Sequence, residues 1–156
     1  MKRFFFLLLA LSSVLLCACG KSPAPRVPAV SPAPADSAVS GLLDRIRDGV
    51  QPGSAGASLK AASVAADLLD WAAGSPQRGA ADAAVSVWLE AQTSEARAQL
   101  PEQIGALRSA VERLAADFEG SAGLLSDAGL EGRGPWDESA AELALALLDT
   151  LERDAK

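Results

Sequence analysis

Apolar residues recur every three or four positions along most of the chain, and this spacing predicts helices. The first helix is predicted over about 38–49, with Asp36 or Ser37 as the residue that caps its free backbone amides. The second is predicted over about 57–73. It carries two apolar stripes instead of one, which indicates contact with more than one neighbouring helix.

Proline and glycine mark the bounds that we predict for the next two helices. Pro76 suits the first position of a third helix, where its missing amide has no cost. The end of this helix is open from the sequence, either near residue 92 or as late as about residue 99. Pro101 is predicted to open the fourth helix, and Gly120 to end it.

The last part of the chain predicts a short helical piece, a glycine-rich loop and a final helix. The short piece covers about 121–128 and the loop covers 129–135. The final helix follows an Asp137 cap and extends to about 153. No alternating apolar run of useful length predicts a strand. The predicted fold is therefore all-α, a small antiparallel bundle of about five helices.

The predicted core consists of the large apolar residues on the inward helix faces. They are Leu42, Leu43, Ile46, Leu59, Leu69, Val85, Trp88, Ile104, Leu107, Val111, Leu114, Phe118, Leu147, Leu148 and Leu151. On the outer face of the fourth helix, the four-residue spacing predicts ion pairs of Arg108 with Glu112 and of Arg113 with Asp117.

The first nineteen residues carry the clearest functional signal. A basic start, Met1-Lys2-Arg3, precedes a mostly apolar stretch from Phe4 to Leu16. This stretch is shorter than the roughly 20 apolar residues of a spanning helix, and the pattern is typical of a secretory signal. The four residues Leu16-Cys17-Ala18-Cys19 then resemble the lipobox of bacterial lipoproteins, although Cys17 in its second slot departs from the pattern.

This resemblance implies cleavage before Cys19 and a covalent diacylglycerol and N-acyl lipid on that cysteine. Cys17 as the acceptor would place Leu16 before the cut, where a small residue is expected, and a Cys17–Cys19 disulfide would close a strained loop. Gly20, in place of the Asp that marks inner-membrane retention, implies the outer membrane with the domain facing the periplasm. In a Gram-positive cell, the site would be the outer face of the cell membrane.

The predicted organisation has three parts. Residues 1–18 form the signal peptide, 19–36 the lipidated Cys with a Pro-rich tether, and 37–156 the helical domain. Five prolines favour an extended tether, which would reach roughly 50 Å from the membrane.

Charge and composition restrict the partners and the chemistry that we expect. The chain has 14 basic and 20 acidic residues; without Lys2 and Arg3 the mature chain has 12 basic residues and a net charge of −8. This balance disfavours nucleic acid and attachment to anionic lipid by charge. The chain has no His, and cleavage before Cys19 leaves no free thiol, so we expect no metal site, no other cofactor and no catalytic residue of those types.

Two sets of residues are candidates for a site. Asp67 and Asp70 could act as paired carboxylates, but an ordinary solvated Asp pair is the favoured interpretation. In the glycine-rich loop, we predict a partner contact at Arg133, Pro135 and Trp136. The sequence leaves open whether Trp136 packs beside the last helix or is exposed as an anchor for a partner.

Four functions are compatible with this sequence, the fourth being a purely structural envelope protein that the sequence does not separate from the first. The first is a non-enzymatic, membrane-anchored accessory lipoprotein that binds another envelope protein, resembling pilotins in architecture alone, with an amphipathic partner helix in a groove. The second is an immunity or inhibitor lipoprotein that neutralises a toxin or hydrolase, steered by its negative charge. The third, least favoured, is a cell-wall enzyme that works through carboxylates.

Overall fold

The computed structural model describes residues 34–74 and 76–156, with side chains from Ser37 onward. The predicted signal peptide, Cys19 and the tether up to residue 33 lie outside the described residues. The described residues contain six α-helices and no strand. They are α1 (Pro34–Gly49), α2 (Ala57–Ala73), α3 (Arg78–Glu90), α4 (Ser94–Ala116), α5 (Ala122–Asp127) and α6 (Glu138–Asp154). The prediction of an all-helical bundle is confirmed.

Helix α2 is the centre of the bundle and contacts α1, α4, α5 and α6. Its sequence explains this position, because alanine fills most of the length between its large apolar residues and lets neighbours approach from several sides. Leu68 and Leu69 are fully buried, as are Ala62, Ala65 and Ala66. Both of the apolar stripes predicted for this helix contribute buried residues.

The core is formed by the predicted residues with two corrections. Leu59 and Phe118 are only partly buried, because Leu59 lies in the first turn of α2 and Phe118 lies beyond the end of α4. Leu100 and Leu68 are fully buried and extend the core beyond the predicted set. In the part of the chain that the structure describes, no helix combines the length and the hydropathy that a bilayer crossing requires.

Helix α1 begins earlier than predicted, at Pro34. The last three residues assigned to the tether, 34–36, are therefore helical, and Asp36 and Ser37 lie inside the helix and not before its start. Proline is well suited to the first turn of a helix, because its amide would be unpaired there in any case.

Two other helix starts also differ from the prediction. Helix α3 begins at Arg78, so Pro76 lies just before it and not at its first position. Helix α4 begins at Ser94, and Pro101 lies inside it. The signal for the true start is Thr93, whose hydroxyl accepts a hydrogen bond from the Ala96 amide at 3.2 Å.

The cap of the last helix is as predicted. Asp137 accepts hydrogen bonds from the Ala140 amide at 2.8 Å and from the Ser139 hydroxyl at 2.8 Å. The hydrogen bond from the Ala140 backbone amide, together with the one from the Ser139 hydroxyl, lowers the pKa of the Asp137 carboxyl from its usual 3.8.

The ion pairs predicted along α4 do not form as expected. Arg108 instead joins α4 to α6, with Asp149 at 2.7 Å and Glu152 at 3.3 Å. Asp117 turns to the following loop, where its carboxylate accepts a hydrogen bond from the Gly120 amide at 2.9 Å. Within the described residues, the Arg113 side chain has no hydrogen bond or ion pair.

Candidate functional site

The loop predicted as a partner contact is bound to α2 by hydrogen bonds and ion pairs. Its Trp136 residue is 8 % exposed, and the indole ring makes an edge-to-face contact with Phe118 at 5.9 Å between ring centroids. The indole N–H of Trp136 donates to Asp70 at 2.6 Å. Trp136 therefore packs against the domain, and the exposed alternative is wrong for this residue.

Arg133 is held by the two carboxylates that the sequence singled out. Its guanidinium donates to Asp70 at 2.9 and 2.5 Å and pairs with Asp67 at 2.9 Å. Burial opposes the charged form of Arg133, but the hydrogen bonds to Asp70 and Asp67 outweigh this effect, so the pKa of Arg133 is raised. Arg45 of α1 pairs with the other oxygen of Asp67 at 2.5 Å.

These five residues, Arg45, Asp67, Asp70, Arg133 and Trp136, form what we call the Asp67–Asp70 network. It joins α1, α2 and the loop before α6, and the sequence did not predict that its acids and its loop residues would meet. Two arginines at the carboxylates oppose the binding of a further cation. Within the described part of the chain, no three potential ligands of the His, Cys, Asp or Glu type group around one point.

The network leaves little of the predicted loop site free for a partner. Of the three residues named from the sequence, Pro135 is exposed, Arg133 is half-buried and Trp136 is buried. A partner that reached this loop would meet the Pro135 surface and the edge of Arg133, and not the indole ring. The partner contact stays a prediction, and the surface of this loop that a partner could reach is smaller than the sequence indicated.

A groove that the sequence analysis missed lies between α2 and α4. Its cavity measures about 350 Å³ and is partly open to solvent. The residues that line this α2–α4 groove are mostly small and apolar: Val50, Pro52, Gly53, Ala57, Ser58, Ala61, Ala106, Ser109, Ala110, Arg113 and Leu124. The sequence signal was the i, i+4 spacing of two alanine pairs, Ala57 with Ala61 and Ala106 with Ala110, since such pairs share one helix face.

A second cavity, of about 390 Å³, has a different character. It lies between α1 and α2, and its lining includes Asp44, Asp48, Asp67, Arg45 and Lys60. Arg45 is already paired with Asp67. The mixed charges of this second cavity are those of a solvated surface between helices. The α2–α4 groove is therefore the better candidate for binding an apolar partner surface.

Comparison of the chain with protein-family models, with curated protein sequences and with solved protein structures gives no match.

Proposed function

We propose that this protein is a lipid-anchored envelope lipoprotein that acts as a non-enzymatic, protein-binding accessory. The observation that carries the binding role is the α2–α4 groove, an apolar depression on a domain that is otherwise strongly acidic. Grooves of this kind receive the apolar face of an amphipathic helix. The lipobox at Leu16–Cys19 supports the anchor, and Gly20 supports the outer membrane as its location.

The lipid on Cys19 is tested by metabolic labelling with a fatty acid that can be detected on the protein. We expect the parent chain to carry the label and the Cys19→Ala variant to lose it, because the thioether needs the Cys19 sulfur. A Cys17→Ala variant is the matched control and should keep the label. Label that persists in Cys19→Ala would overturn the assignment, and loss of label in Cys17→Ala alone would make Cys17 the acceptor.

The accessory role is tested by crosslinking in living cells, followed by affinity purification and mass spectrometry, with Cys19→Ala beside the parent. We expect a recurrent subunit of an envelope assembly, and we expect to lose it with the anchor, because the lipid brings the two proteins to one surface. Failure to capture any stoichiometric partner would overturn the accessory role.

The second candidate is an inhibitor of a secreted toxin or hydrolase. The net charge of −8 favours this role, since negative charge speeds the encounter with a basic protein. The same crosslinking experiment separates the two proposals. A basic toxin or hydrolase that is captured with or without the anchor would support inhibition and count against the accessory role.

The Asp67–Asp70 network argues for a structural role of these two carboxylates. A glycoside hydrolase needs one carboxylate to donate a proton and the other to face water or substrate. Here Asp67 contacts Arg45 and Arg133, and Asp70 contacts Arg133 and Trp136. We therefore propose no reaction for them.

A further inference from the structure

The floor and walls of the α2–α4 groove are shaped for a close approach by another backbone. Val50 and Ala61 are buried at its floor, at 0 % and 5 % exposure. Ala106 and Ala110 of α4 are partly buried beside it. Since none of these side chains is large, the apolar side chains of an incoming helix can enter between α2 and α4.

The charge at the groove is opposite to that of the rest of the domain. Residues 34–156 contain twenty acidic and ten basic side chains. Among the described residues that line the groove, Arg113 is nevertheless the one that carries a charge. Arg113 is exposed and has no ion pair within the described residues, and the nearby Asp117 instead accepts a hydrogen bond from the Gly120 amide. The groove therefore offers an apolar surface with one free positive charge at its side.

A second copy of this chain is poorly equipped to fill the groove. Val87 is the one large hydrophobic side chain that is exposed among the described residues, at 69 %. The other large apolar side chains of the described residues are buried or partly buried, so another copy offers little exposed apolar surface that could enter the groove. An acyl chain would match the apolar lining but would leave Arg113 without a counter-charge.

We propose that the α2–α4 groove binds an amphipathic helix of the partner protein, and that an Asp or Glu on that helix pairs with Arg113. This inference rests on the proposed accessory function and specifies the chemistry of its partner. The apolar side chains of the helix, three or four residues apart, enter the groove. The carboxylate fixes the direction and register of the helix, since a charge pair at the side of an apolar contact contributes mainly to specificity.

The test places a photocrosslinking amino acid, p-benzoylphenylalanine, in the full lipidated chain inside living cells. One variant carries it at Ser109, which lines the groove, and the control carries it at Ser86 on α3. The two serines are closely matched. Both are exposed, and each hydroxyl donates to the carbonyl four residues earlier, at 3.2 Å for Ser109 and 3.3 Å for Ser86.

The expected result is a crosslink from Ser109 to a helical, carboxylate-bearing segment of one envelope protein, at least about tenfold stronger than from Ser86. In the Ser109 background, Arg113→Glu should weaken this crosslink by about tenfold or more, because attraction becomes repulsion. Arg78→Glu makes the same charge change at an exposed arginine on α3 and should leave the crosslink unchanged. Arg in place of the partner's carboxylate should restore the crosslink to Arg113→Glu. Circular dichroism should show native helix content in every variant.

The outcomes separate this inference from the proposed function. A partner that crosslinks equally from Ser86 and Ser109, or that ignores Arg113→Glu, overturns the inference and leaves the accessory function standing. A Ser109 crosslink to a second copy or to lipid also overturns it. If no protein is captured from either position and chemical crosslinking in cells finds none either, both the inference and the accessory function fail.

Discussion

Replacement of Asp70 with Ala removes an acceptor that two residues of the loop before α6 share. The Trp136 indole N–H is buried and would lose its partner, which costs about 1–3 kcal/mol. The ion pair with Arg133 contributes at most about 1 kcal/mol, because the Asp70 side chain is 47 % exposed. Arg133 also keeps Asp67 as a partner. We therefore expect the free energy of unfolding to fall by about 1–4 kcal/mol.

Asp70→Asn separates the hydrogen bond from the charge. The amide oxygen can still accept from the Trp136 indole, so this variant should lose no more than about 1 kcal/mol. Urea denaturation followed by far-UV circular dichroism measures both values. In about 1 M salt, where the Debye length is near 3 Å, the loss in Asp70→Asn should shrink and most of the loss in Asp70→Ala should remain.

The control for this experiment is Asp127→Ala, at an exposed acid in the last position of α5. We expect it to change stability by less than about 0.5 kcal/mol. If Asp70→Ala were no more costly than this control, the network would not stabilise the loop and our argument would be wrong. If Asp70→Asn were as costly as Asp70→Ala, charge and not the indole hydrogen bond would be the main contribution.

Three further predictions concern the Asp137 cap of α6, the glycine-rich loop before α6, and the interior of α4. Because the pKa of the Asp137 carboxyl is lowered in the folded protein by its bond to a backbone amide, its stabilising effect is present above the usual pKa of 3.8 and is lost as the pH falls through the folded value. Thermal melts should therefore show an advantage of the parent over Asp137→Asn that is constant near neutral pH and shrinks in acid. Gly134→Ala should destabilise the protein more than Gly132→Ala by about 1 kcal/mol or more in urea denaturation. Both glycines have positive φ, at +83° and +82°, but of the two only Gly134 would place a new Cβ against the Phe118 ring. Pro101→Ala should stabilise α4 by about 1–3 kcal/mol, because it restores an interior amide donor.

Each of these three has a result that contradicts it. A parent and Asp137→Asn difference that persists unchanged down to pH 2 would mean that the carboxylate charge is irrelevant to the cap. Equal losses in the two glycine variants would mean that the Phe118 ring moves without cost. A lower melting temperature in Pro101→Ala would mean that the proline ring packs favourably and outweighs the missing hydrogen bond.

Features of this fold that depend on interactions between residues near in sequence could be predicted, and features that depend on distant residues could not. Apolar periodicity located α2 at Ala57–Ala73, because the pattern and the final glycine are local signals. Pro101 was a misleading signal, because α4 continues through a residue type that usually ends a helix. Thr93 was the better signal for the start of α4.

The candidate sites depend on contacts that local patterns do not contain. Asp70 and Trp136 are 66 positions apart, and the two sides of the groove belong to helices separated by another helix. The sequence singled out Asp67, Asp70 and Arg133 as candidates, but it did not show that they would meet in one ion-pair network. It also could not show that Asp117 would turn away from Arg113 and leave this arginine unpaired.

The two buried tryptophans have a consequence for how this bundle finds one alignment. Helices that pack through alanine have smooth surfaces, so one helix can shift along its neighbour by one turn with little change in apolar contact. Trp88 of α3 donates its indole N–H to Asp44 of α1 at 3.0 Å, as Trp136 does to Asp70 of α2. A helix that slid by one turn would leave a buried N–H without an acceptor, so these directional bonds give the native alignment an energy gap that alanine packing alone would not provide. Loss of both acceptors should therefore favour a fluctuating assembly in which the helices persist but their mutual positions are no longer unique.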